Sequence, residues 1–458
     1  MTVLSFIYFL VPILTGILVI HLVWADRSAI AMLYKLCLGT GLGLGINSLL
    51  YFVWLLSSIE NNILSFQIVL LIPLVIITVL REIRSNPSNL RFPTLSPLQL
   101  TLLFVAAMAV IVSGLTFINL TNARPQGARD AWSIWNRAAR FIYRDPENWS
   151  ATLSPDLYWA THPDYPLMVP LNVAWGWERI ETETQRVPMV QSALFTFASI
   201  GLMFASVALI RSFGQASLAA LILMSTPILL DTGYAQISDI PLSFFILSTC
   251  TLIFLYFKFE KPAFLILAGL AAGLAAWTKN EGMLFVASSL IGLLLAGRGD
   301  LSRVVSMYLA GLAVPLFIVL YFKFILAPEN DIFSLAEGGS MAKLTDLSRY
   351  SQITIALFRE MFHYAGWPIS IFVQLAIYAL IMRLDISSPR ATLIIAMIIS
   401  IQVLGYCAIY VLTPHDLSWH LRFSFARLLF HVYPAGIYLY FCNVNEPEMI
   451  FNKRMKVM

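Results

Sequence analysis

Charge is what this chain has least of: Asp, Glu, Lys and Arg together make up 12% of its 458 residues, about half the share of an ordinary soluble domain. A soluble globular protein is therefore excluded. Cysteine is also sparse. Cys37, Cys250, Cys407 and Cys442 are scattered, with no Cys-x-x-Cys pair and no histidine at ligand spacing, which argues against a disulfide framework or a structural zinc site. No metal and no cofactor is expected, and no internal repeat is evident. The net charge of +4 lies mostly in short loops, so it speaks for contact with anionic membrane lipids and gives no case for nucleic acid.

What is present is apolar length. Hydrophobic residues are 59% of the chain and mean hydropathy is +0.79. A bilayer core about 30 Å thick takes roughly 20 apolar residues per helix. The sequence predicts spans near 3–24, 34–56, 62–80, 98–120, 188–210, 215–232, 240–257, 262–278, 282–297, 303–326, 367–383, 391–412 and 425–442. This is an all-α polytopic membrane protein with about thirteen spans. A transmembrane barrel would alternate in segments of about ten residues instead. The first stretch has no basic leader region and no small-residue cleavage pattern, so it reads as a retained helix. Three regions follow: N-terminal spans at 1–97, a membrane core at 98–326 with a large polar loop at 119–186, and a loop with C-terminal spans at 327–458.

Short loops rich in Lys and Arg prefer the cytoplasm. One set carries Arg27 and Lys35, Arg81, Arg84 and Arg91, Arg211, Lys258 and Lys261, Arg298 and Arg303, Arg383 and Arg390, and Lys453, Arg454 and Lys456. The loops 119–186 and 327–366 then face the extracytoplasmic side of a plasma membrane, expected to be a bacterial inner membrane.

Chemistry-bearing residues gather in that outer set. Asp130 opens a run to Arg144 in which Trp132, Trp135, Ala139 and Ile142 recur at helical spacing, while Arg137, Arg140 and Arg144 share another face. This predicts an amphipathic helix lying in the membrane interface with Asp130 at its start. The plainer reading of Asp130 is a helix cap. Asp239, two residues before Pro241, stands where a span re-enters from the same side, and it too suits a cap. Lys279 lies between two spans on the side where lysine is disfavoured, so it calls for an anion, either Glu281 or a phosphate. The segment 413–427 concentrates His415, Asp416, Trp419, His420, Arg422 and Arg427. Of these, His420, Arg422 and Arg427 suit a lipid phosphate, with Arg422 taken as the nearer partner of Lys279; an ordinary interfacial belt is the alternative. His162, Asp164 and Tyr165 form a proline-bracketed turn that either binds substrate, with Trp132 beside it, or only fixes the loop.

In order along the chain, these motifs resemble the GT-C type of integral membrane glycosyltransferase, the group containing the protein O-mannosyltransferases and the aminoarabinose transferase acting on lipid A. Asp130 stands at the place of the family's first outer-loop acid. His162 to Leu167 looks like the proline-rich turn that follows it. Ser238 to Leu242 resembles the second acidic motif, and Gly269 to Lys279 is similar to a Gly-rich helix ending in Thr-Lys. Ala131 departs from relatives that carry a second acid there, which weakens any metal site.

The resemblance implies transfer of a sugar from a polyprenyl-phosphate donor to a hydroxyl of a glycan, lipid or protein acceptor, with inversion, in the cell envelope. Such a reaction needs a carboxylate to take the acceptor proton and cations to hold the departing phosphate. Asp130 suits the first role with Asp239 as a second catalytic acid, and Lys279, Arg422, Arg427 and His420 suit the second. A transporter or lipid flippase is the alternative. It would place its charges in mid-span within matched halves, which this chain does not show.

Overall fold

A computed structural model of the chain describes residues 8–57, 63–84, 94–158, 161–296, 300–330, 340–364, 367 and 369–449. Arg91, Arg298, Lys453, Arg454 and Lys456 lie outside the described residues.

Helices occupy all thirteen apolar stretches. They are α1 (Leu10–Val23), α2 (Ala29–Ser57), α3 (Ile63–Arg84), α4 (Pro97–Ala123), the short polar α5 (Asn136–Arg144), α6 (Met168–Ile180), α7 (Arg186–Ile210), α8 (Phe213–Ser225), α9 (Pro227–Tyr234) and α10 (Asp239–Phe259). There follow α11 (Ala263–Thr278), α12 (Glu281–Ala296), α13 (Leu301–Tyr321), α14 (Ser340–Thr345), α15 (Leu347–His363), α16 (Ile371–Met382), α17 (Pro389–Leu412) and α18 (Leu417–Cys442). Among the described residues, six helices are by themselves long and apolar enough to cross a bilayer, and a seventh crossing forms if α8 and α9 act as one span bent by 61°. The bend falls where Pro227 has no N–H to continue the ladder from α8. Four further helices, α1, α11, α12 and α16, are apolar but shorter. The chain is an integral multi-pass membrane protein.

The core centres on α10, whose residues from Asp239 to Leu255 are all buried. It packs against α7, α11 and α18. α4 turns most of its apolar side chains outward, as expected of a helix facing lipid. Close approach in the core depends on small residues. A Cβ at Gly269 would overlap the Tyr308 carbonyl, and one at Gly311 the Ile266 carbonyl, so α11 and α13 touch backbone to backbone.

The bundle has two chemically distinct ends, which α18 connects over about 39 Å. At its C-terminal end, Arg211 from the end of α7 donates to the Cys442 carbonyl (Nε, 2.9 Å) and pairs with Asp385 at 2.6 Å. At its N-terminal end the polar loops meet.

Candidate active site

Two turns bring distant acids together. After α4 the chain reverses at Gly127, whose φ of +72° favours glycine. A Cβ there would strike the Ala235 carbonyl and Ala131. The Ala128 amide then donates to the Ala235 carbonyl at 3.0 Å, and the Gln236 side chain donates to the Pro125 carbonyl at 3.0 Å. The loop after α4 is thereby clipped onto the turn before α10, setting Asp130 beside Asp239.

Neither acid caps a helix. Asp130 makes no capping bond; its carboxylate pairs with Arg427 of α18 at 3.0 Å. Asp239 is the first residue of α10, with Ser238 before it as cap, and is 0% exposed. Its Oδ2 accepts from Arg427 Nε at 2.9 Å and Nη2 at 2.6 Å, and its Oδ1 bonds Lys279 Nζ at 3.0 Å and His431 Nε2 at 2.7 Å. Arg427 therefore bridges the two acids. Lys279 is shared as well, lying 2.9 Å from Glu281. Burial alone would lower the Lys279 pKa, but the Asp239 and Glu281 carboxylates outweigh it and hold the ammonium above its usual range. The position behind His431 is filled by the Tyr406 hydroxyl, 3.1 Å from Nδ1.

A second cluster adjoins the first through Asn280. Asp164 is buried, and its Oδ2 accepts from Asn280 and Asn330 at 2.7 Å each and faces Lys323 Nζ at 3.5 Å. Lys323 also donates to the Asp164 carbonyl. Among the described residues, three acceptor atoms here are buried without a partner: Asp164 Oδ1, Asn280 Oδ1 and Glu281 Oε2. Nearby, Trp135, Tyr165 and His162 form an aromatic column, with ring centroids 5.5 Å and 4.6 Å apart.

The candidates read from the sequence thus separate. Asp130, Asp239, Lys279 and Arg427 share one ion-pair network, and Asp164 stands next to it through Asn280. Tyr165 and His162 belong to the aromatic column. Arg422, expected as the nearer partner of Lys279, is exposed; five residues from Arg427, it lies about 140° round the helix. His420 is held by the Thr413 hydroxyl at 2.9 Å and packs on the Tyr410 ring. Trp132 is 49% exposed, whereas Trp135, Ala139 and Ile142 are buried. It leaves the face expected for it because residues Ala131–Trp135 form a π-helical turn, whose wider winding shifts that side chain's direction.

Sequence reasoning missed His431, Asn280, Lys323 and Asn330. His431 carried a usable signal, being an ionisable residue well inside an apolar span. Asn280 and Asn330 carried none, because a loop amide is unremarkable until its partner is known.

Residues 164–322 match the family model described as dolichyl-phosphate-mannose-protein mannosyltransferase. Over that third of the chain the match supports a glycosyltransferase of the GT-C type. The matched segment begins at Asp164 and contains Asp239, Lys279, Asn280 and Glu281, while Asp130 and Arg427, which complete the network, lie on either side of it. Neither a curated protein nor a solved structure matches the chain.

Proposed function

We propose that the enzyme moves a sugar from a polyprenyl-phosphate donor to an acceptor hydroxyl on the extracytoplasmic side of the membrane, with Asp130 as general base. The observation that carries this reading is the sharing of Arg427 between a buried acid and an accessible one. Asp239 has its charge met on both oxygens by Lys279, Arg427 and His431 and is closed to solvent, so it is a poor proton acceptor. Among the described residues Asp130 pairs with Arg427 alone, and its side chain is 36% exposed, within reach of an incoming hydroxyl. Asp239 is then a positioning residue that fixes the two cations.

In the proposed step the acceptor oxygen attacks C1 of the sugar as its proton passes to Asp130. The C1–O bond to phosphate breaks, and its electron pair leaves on the phosphate. Lys279 and Arg427, fixed before the substrate arrives, stabilise that charge without reorganising. Attack opposite the leaving phosphate inverts C1. The unpartnered acceptors of Asp164, Asn280 and Glu281 suit hydroxyl groups of the sugar.

The test is sugar transfer by the purified protein in detergent from a short-chain polyprenyl-phosphate sugar. Asp130→Asn is expected to lower kcat by about 10²- to 10⁴-fold and leave donor affinity unchanged. Near-normal turnover in that variant would remove Asp130 from the chemistry.

A further inference from the structure

Arg137 differs from every other arginine near the site. Its neighbours on the same short helix, Arg140 and Arg144, both pair with Glu183, at 2.6 and 2.8 Å. Among the described residues Arg137 has no such counterion: its Nε and Nη1 are buried without a hydrogen-bond partner there, and its guanidinium rests against the Phe141 ring at 5.6 Å. The Thr152 hydroxyl is also buried without a partner, in a residue 1% exposed. Both side chains line one small notch, together with Trp135, His162, Tyr165 and Pro170. Its cavity is about 10 Å³, room for a single oxygen-sized group.

Three buried donors around a space for one oxygen form an incomplete site. Leaving a charged donor buried and unmet is costly, so the arrangement persists where a ligand completes it. A positive charge with no carboxylate nearby selects an anionic oxygen over a neutral one. Burial also draws the Arg137 pKa down to about 10, which still leaves it charged at neutral pH. The wall of stacked Trp135, Tyr165 and His162 would hold the rest of such a ligand against the notch.

We propose that the Arg137–Thr152 notch is an oxyanion site that takes one oxygen of a phosphoryl or carboxylate group. It is separate from the Asp239 network and does not depend on which residue is the base.

Thermal unfolding of the full-length protein in detergent tests this without any transfer assay. Inorganic phosphate is expected to raise the unfolding midpoint of the wild type, with the logarithm of its concentration once that exceeds the dissociation constant. Arg137→Met should weaken the apparent affinity roughly ten- to a hundredfold, Thr152→Val less, and Arg137→Lys should retain part of it. Lys279→Ala should leave the Arg137-dependent part of the phosphate effect in place. A short-chain polyprenyl phosphate and acetate, run in parallel, separate the sources: an Arg137-dependent response to the lipid phosphate alone assigns the notch to a lipid-borne group, and responses to inorganic phosphate or acetate assign it to a free anion. If Arg137→Met does not fold, the comparison of Thr152→Val and Arg137→Lys with wild type still decides. Equal phosphate shifts in wild type and these variants, or no shift with any of the three probes, would overturn the proposal and leave a water in the notch.

Discussion

Arg427 holds two carboxylates at once, and the two should respond differently to loss of charge. Asp239 is buried among three partners, so Asp239→Asn leaves the buried Lys279 short of compensation and takes one of its two carboxylates from Arg427. The expected cost is about 3–5 kcal/mol, the range for breaking a buried ion pair from one side. Asp130 lies at the rim with one partner, and Asp130→Asn should cost under about 1 kcal/mol. Thermal unfolding of both purified variants checks the contrast, and equal losses would place the two acids in equivalent surroundings. Sequence reasoning found both acids but not this difference, because the partner that separates them is 297 positions from Asp130. It also preferred Arg422 to Arg427. Distance to the loop was the wrong guide, since the face of the helix decides which side chain points inward.

Among the elements, α5 is the one whose place depends on charge. It is short, polar on one side, and held to the segment before α7 by Glu183. Burial alone would raise the Glu183 pKa, but hydrogen bonds from Arg140 and Arg144 outweigh it and set the carboxyl below its ordinary value of 4.5. A depressed carboxylate pKa contributes stability that is present above the ordinary value and is lost as pH falls through the folded one. Glu183→Gln should therefore loosen α5 at pH 7 by about 0.5–1 kcal/mol, and the difference from wild type should shrink as pH is lowered below 4.5. Hydrogen exchange of the α5 amides reads this directly; protection that is insensitive to both the substitution and pH would mean that the buried face alone holds the helix. The helical reading of 130–144 was legible from the spacing of Trp135, Ala139 and Ile142. The π-helical turn at its start was not, because Ala131 to Trp135 contains no proline or glycine to mark a change of winding.

At the scale of the whole molecule, the helices were legible because lipid imposes the simplest rule, an unbroken apolar run with every backbone group satisfied internally. The convergence of loops was not, since it depends on Gly127 and Gln236 joining two turns that are remote in sequence. The resulting bundle is polar in a directional sense. The Asp239 network meets α18 about midway, at Arg427 and His431, and opens toward the loops at its start, and the Arg211–Asp385 contact lies at its end. If the basic short loops are cytoplasmic, these two ends face opposite sides of the membrane. Ser154 belongs to the loop on the network side and Ser387 to the Asp385 side, where it reaches the Cys442 carbonyl at 3.5 Å. Cysteine placed at each in turn should react with a membrane-impermeant maleimide from opposite sides of sealed vesicles, Ser154→Cys from the extracytoplasmic one. Native Cys37, Cys250 and Cys442 are buried and should give little background, and Cys407→Ser removes the one that is partly exposed. Labelling of both positions from the same side would break the proposed topology. Labelling from opposite sides with Ser154→Cys reached from the cytoplasm would keep the bundle but turn it over, and would put the proposed transfer on the cytoplasmic side.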